Sequence, residues 1–356
     1  MLPRRPVGSP ARLPKAEFRL GLHAGDWVEV RSAEEILSTL DADGSLEALP
    51  FMPELLQYCG KRFKVDKSAH KSCDTLKTWR NRRMNDAVHL AGLRCTGEAH
   101  GGCQAGCLIY WKEAWLKRAP APGRDAATTA TGRGAAAPVS ATPPAPAGCD
   151  RAALDRATRV PAGAGADTEE RFRCQATQMF EATSPAHWDA GLYLKDITSG
   201  NVGFGTFLKY GLLAMFNHLR RFPHIRGQAG TKTPQGEALN LQAGDWVEVR
   251  SKAEILPTLN RQLRHRGLSF DIEMLPFCGK RFRVLRRVDR LIDDKTGKMV
   301  LPRSACLILE DVVCGGCLSR DRMFCPRAIY PYWHEVWLKR APEGAGIDAG
   351  SASRPG

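Results

Sequence analysis

The chain carries no phosphate-binding loop, no dinucleotide fingerprint and no nucleophile elbow. The lone GFG at 203–205 is too short to stand for any of them. The usual signatures of nucleotide chemistry and serine hydrolysis are therefore missing. Apolar runs are short as well. The longest, within 203–222, falls below the roughly 20 residues that span a bilayer and contains Lys209. The first residues, MLPRRPVGSPARLPKAEF, are basic and Pro-rich and lack the apolar stretch of a secretory signal. The expected compartment is therefore a reducing cytoplasm, where twelve cysteines point to metal or thiol chemistry more than to disulfides.

What the chain does contain is a repeat. LHAGDWVEVRSAEEILSTL at 22–40 recurs as LQAGDWVEVRSKAEILPTL at 241–259, with fifteen of nineteen positions identical. The same offset of 219 aligns ELLQYCGKRFKV at 54–65 with EMLPFCGKRFRV at 273–284. An offset of 222 aligns CQAGCLIYWKEAWLKRAP at 103–120 with CPRAIYPYWHEVWLKRAP at 325–342. Self-similarity on this scale marks a duplicated module.

The expected organisation is a basic tail (1–20), a Cys/His-rich first module (21–119) and a flexible linker (120–168), followed by a helical segment (169–228), a second module (239–342) and a short tail (343–356). The linker is nearly all Ala, Pro, Gly and Thr and has too little apolar surface to offset its ordering entropy. In the helical segment, TEERFRCQATQMFEA has helical spacing with acids in its first turn. NVGFGTFLKYGLLAMFNHLRRF reads as a second helix. Within each module DWVEVRS alternates as a half-buried strand. Ser32 with Glu35, and Ser251 with Glu254, form capping boxes for a short helix. The fold class that follows is mainly β with some α.

Short strands about glycine turns with one early helix resemble SH3-type barrels of the KOW-like kind. That resemblance implies two tandem small β-barrels joined by a disordered linker and a helical segment. The Cys-rich, His-containing motif and CPRAIYPYW resemble a bacterial Cys-rich family with duplicated modules, and this second resemblance implies no particular activity.

The duplication sorts the cysteines. Cys59 pairs with Cys278, Cys95 with Cys314 and Cys103 with Cys325, all beside glycine or proline where short loops can meet. A tetrahedral zinc site takes four thiolate or imidazole ligands, commonly from two such loops. The fourth ligand of the second module would be Cys306 or Cys317, and its five cysteines also suit an iron–sulfur cluster. The first module has a surplus: His70, Cys73, His100 and Cys107. Cys149 and Cys174 have no counterpart and read as incidental. Glu98 is the one carboxylate inside the RCTGEAHGGC loop. Trp111 with Trp115, and Trp333 with Trp337, read as core more than as a stacking surface.

The formal charge of +14 is uneven, with +1 over residues 22–120 and +7 over 241–342. Arg264, Arg266, Arg283, Arg286 and Arg287 are the candidate polyanion contacts of the second module. Three functions fit. The first is a non-catalytic, zinc-binding interaction protein whose second module meets nucleic acid, another polyanion or a protein. The second is a metal- or thiol-dependent enzyme or accessory protein of a bacterial biosynthetic pathway, using the surplus ligands. The third is a peripheral membrane contact through 203–222.

Overall fold

The computed structural model describes residues 18–122, 149–160, 169–186, 189–219, 225, 227–228 and 239–342. Most of the basic tail, much of the linker and the tail at 343–356 lie outside the described residues.

The protein is mainly β with few helices and is built around two five-stranded antiparallel sheets. The first sheet runs Trp111–Lys112, Ala87–Leu90, Arg62–Ser68, Trp27–Val30, Leu116–Arg118. The second runs Trp333–His334, Cys306–Leu309, Arg281–Arg287, Trp246–Val249, Leu338–Arg340. Among the described residues the two edge strands of each sheet do not pair, so neither sheet closes into a barrel.

The fourth strand of each sheet, Trp27–Val30 and Trp246–Val249, shows why the sequence folds this way. In WVEV, Val28 and Val30 are buried, and so are Val247 and Val249. Glu29 stands between Arg62 and Lys117, and Glu248 between Arg281 and Lys339, so opposite charges face each other across both neighbouring strands. The register shifts between Val65 and Lys67 and again between Val284 and Arg286, a bulge at the same place in each sheet. Both capping boxes are formed, over helices Ala33–Leu37 and Lys252–Ile255.

The four tryptophans of the repeated pairs, Trp111, Trp115, Trp333 and Trp337, are fully buried. Trp115 donates to Thr39 Oγ1 at 3.2 Å and Trp337 to Thr258 Oγ1 at 2.9 Å, which places both pairs in the core. Beneath them, Glu113 accepts from the amides of Leu20, Gly21 and Leu22 at 2.5–3.0 Å. Glu335 does the same for Leu239, Asn240 and Leu241 at 3.0–3.3 Å.

Two expectations about the region between the modules change. Residues 169–182 do not form a helix: Arg171–Phe172 is a short strand paired with Arg159–Val160 and bridged to Lys298. Glu169 and Glu170, which had looked like first-turn helix acids, form ion pairs with Lys298 and Arg159 instead. Tertiary pairing overrides local propensity here. Part of the expected linker is also ordered. Asp150 caps the helix Arg151–Ala157, and Leu154 and Cys149 are buried against the first core. Gly44 makes room for them, because a Cβ there would lie 2.9 Å from Leu154.

The two halves exchange hairpins. The hairpin of Lys71–Cys73 and Asn81–Arg83 reaches the Cys-rich loop of the second half, where the Cys73 amide donates to Cys325 Sγ at 3.2 Å. The hairpin of Leu291–Ile292 and Met299–Val300 reaches the loop of the first half, where the Ile292 amide donates to Cys103 Sγ at 3.4 Å. Gln104 bonds the backbone of Asp289 and Arg290 at the same junction.

Candidate metal centre

The site is assembled from a 3₁₀ turn and a glycine-bracketed loop. Pro53–Tyr58 presents Glu54 inward. The Cys95 amide donates to Cys107 O at 2.8 Å, which closes the loop on itself. Gly97 and Gly101 flank the turn Glu98–His100 with φ of 77° and 62°. Gly97 is required, since a Cβ there would lie 1.9 Å from Cys103 O. The turn drives His100 into the interior, where it is buried.

Glu54, Cys95 and His100 meet there, with one ligand atom from each within 4.8 Å of the other two. His100 Nδ1 stands 3.3 Å from Glu54 Oε1, and Cys95 Sγ stands 3.4 Å from the same oxygen. The imidazole contact lacks hydrogen-bond alignment, so both ring nitrogens and Glu54 Oε2 remain buried without a hydrogen-bond partner. Buried polar atoms without partners are costly. A carboxylate, a thiol and an imidazole left in this state are the donor set that a borderline cation such as zinc takes. Burial pushes the Glu54 carboxyl up, but the neighbouring His100 outweighs it and holds the group below its ordinary range. Burial, followed by the charge of Glu54, pushes the Cys95 thiol far up. A metal binding here would have to displace that proton.

Beside the trio is a cavity of about 30 Å³ whose lining includes Cys95, Cys103, Cys107 and Cys174, with Asp294 from the other half. It is large enough for an ion with a water. Burial raises both Cys107 and Cys174 to about 12. Neither Glu54 nor Cys174 was among the ligands expected from sequence. Cys174 has no repeat counterpart. Glu54 does have one, Glu273, and a carboxylate kept in both copies ahead of an apolar turn was the available signal.

The second half arranges the equivalent residues differently. Glu273 is buried and accepts from the amides of Cys317, Leu318 and Ser319 at 2.7–3.1 Å. Cys317 Sγ donates to Gly315 O at 3.3 Å, and Cys314 N donates to Ile329 O. Burial raises Cys314 strongly and Cys317 to about 12.

His70 and Cys73 part company. His70 Nε2 lies 3.1 Å from Asp196, which also binds the buried Lys71. Cys73 joins Cys325 and lies beside Arg327, whose guanidinium donates to its carbonyl at 3.1 Å. The bond from Cys325 and then the charge of Arg327 pull Cys73 down, and the same pairing pushes Cys325 up. Cys59 and Cys278 end the equivalent turns Pro53–Tyr58 and Ile272–Phe277 and rest half-buried on the two cores. Cys306 is buried in its strand beside Val288 and Ile308. Among the described residues, the trio of Glu54, Cys95 and His100 is the group gathered tightly enough to hold an ion.

The basic candidates are dispersed. Arg264 and Arg266 are exposed on a small hairpin. Arg283 donates to Gly244 O, and Arg287 donates to Leu241 O and pairs with Glu335 at 3.0 Å. Arg286 lies over Gly106 of the other half.

No family model matches the chain, and no curated protein or solved structure matches it either. No helix among the described residues is long and apolar enough to cross a membrane.

Proposed function

We propose that this is a zinc-binding, non-catalytic interaction protein made of two duplicated SH3-like modules that a metal clips together. The observation that carries the reading is the meeting of Glu54, Cys95 and His100 at one point, with Glu54 Oε2 and both ring nitrogens of His100 buried and without a hydrogen-bond partner. Zinc suits a mixed carboxylate, thiolate and imidazole set better than iron–sulfur chemistry, which needs four thiolates. Cys103, Cys107 and Cys174, which line the cavity with Cys95, are the further candidate donors, and Asp294 brings the second module to the same cavity. A metal held there would stabilise the junction and leave the outer faces free for partners. Arg264 and Arg266 are then the exposed basic residues of the second module that a polyanion would meet.

The test is elemental analysis of the reduced full-length protein beside Cys95→Ser, His100→Ala and Glu54→Gln. The expected result is bound zinc in the parent, reduced in each variant, with a lower unfolding temperature after chelation. Parent protein free of metal after purification in zinc-containing buffer would end the proposal. A metal unaffected by all three changes would place the site elsewhere.

A further inference from the structure

The helix Phe204–Leu219 rests one side on the body of the protein. Phe207 stacks on Phe324 with centroids 5.4 Å apart, and Tyr210 meets the same ring edge-on at 6.4 Å. Its other side is uncovered. Phe204 is 69 % exposed, Leu208 50 %, Leu212 42 % and Leu213 39 %. Phe204, Leu208 and Leu212 follow one another at single-turn spacing, so they form one stripe, with Leu213 further round the helix. Scattered apolar residues are ordinary on a surface, whereas a contiguous stripe marks a place of contact.

Charge selects what the stripe contacts. Residues 204–221 contain no Asp or Glu, while Lys209 lies on the exposed side and the sequence continues with Arg220 and Arg221. A second copy laid on the same face would set bases against bases, because a two-fold contact repeats each patch. An anionic lipid surface accepts both the apolar stripe and Lys209 beside it. The helix has 16 residues and is among those too short to cross, so it would lie in the plane of the surface.

We propose that helix Phe204–Leu219 docks the protein on an anionic bilayer, with Phe204, Leu208 and Leu212 at the boundary between headgroups and acyl chains and Phe207 and Tyr210 remaining on Phe324. The inference does not depend on the metal centre, and its test reads neither metal nor partner.

The experiment is co-sedimentation of the full-length chain with vesicles of phosphatidylcholine alone or mixed with phosphatidylglycerol. The parent is expected to sediment with the mixed vesicles, to release as salt rises, and to stay in solution with phosphatidylcholine alone. Leu208→Glu/Leu212→Glu should lower the partition coefficient on the order of a hundredfold, as expected for two large apolar groups replaced by charge. Both positions are surface-exposed, and an unchanged far-UV spectrum would show that the variant is folded. Three results would overturn the proposal: no sedimentation with either vesicle, equal binding by parent and variant, or a lipid-free parent dimer that the substitutions convert to monomer.

Discussion

His89 and Ile308 occupy the same place in the two sheets, opposite Lys67 and Arg286. Both are fully buried, so one half carries an imidazole where the other carries an alkyl chain. Burial holds His89 down to about 4, opposed in part by its bond to Ile109 O. Its unfolded value is near 6.5, so the unfolded chain binds the proton first as pH falls. Stability is therefore complete above about pH 6.5 and drains away on acidification toward about pH 4. By pH 5 the loss from this one group is on the order of 2 kcal/mol. Urea denaturation at pH 7 and pH 5 should show it. His89→Gln, which keeps a donor for Ile109 O, should recover a large part of the difference. His334, also lowered to about 4 by burial, retains its own share in that variant.

The carboxylate straps are the clearest feature at the scale of elements. Glu113 and Glu335 each collect three amides from the segment that leads into the strand Trp27–Val30 or Trp246–Val249. Replacing either by Gln leaves an acceptor where two were used and should cost about 1–3 kcal/mol, read as a shift in the denaturation midpoint at unchanged slope. Glu335→Gln also leaves Arg287 without its ion pair and is expected to be the more damaging of the two. The repeat in the sequence carried much of this level. Capping boxes, strand alternation and buried Trp pairs were all legible because each is a local pattern present twice. What failed was local pattern without a second copy. The acids at 169–170 look like a helix start, yet their partners Arg159 and Lys298 lie elsewhere in the chain. The metal candidate was half legible. Cys95 and His100 declared themselves by type and loop, whereas Glu54 sits in an apolar stretch and Cys174 has no twin. His70 and Cys73 are three apart in sequence and serve separate clusters, Asp196 for one and Cys325 for the other.

Taken whole, the molecule is held by contacts that run in both directions between its halves. Arg94 lies 3.9 Å above the Tyr330 ring and donates to Ala328 O, while Asn81 donates to Met323 O and Thr75 to Asp294. Cutting the chain at a protease site engineered into 123–148 should therefore leave two fragments that co-elute on size exclusion. Denaturant should be needed to part them. Fragments that separate at micromolar concentration in plain buffer would show that the hairpin exchange is too weak to matter.

Chain synthesis runs in one direction, and the exchanged hairpins do not. Cys103 receives its amide from Ile292, 189 residues further along. At the roughly 5–20 residues per second of a translating ribosome, about ten to forty seconds separate their emergence. For that interval the thiols of the first loop face the cell with their last wall missing. The nascent chain thus has a window in which that loop stands without the hairpin that later covers one side of it.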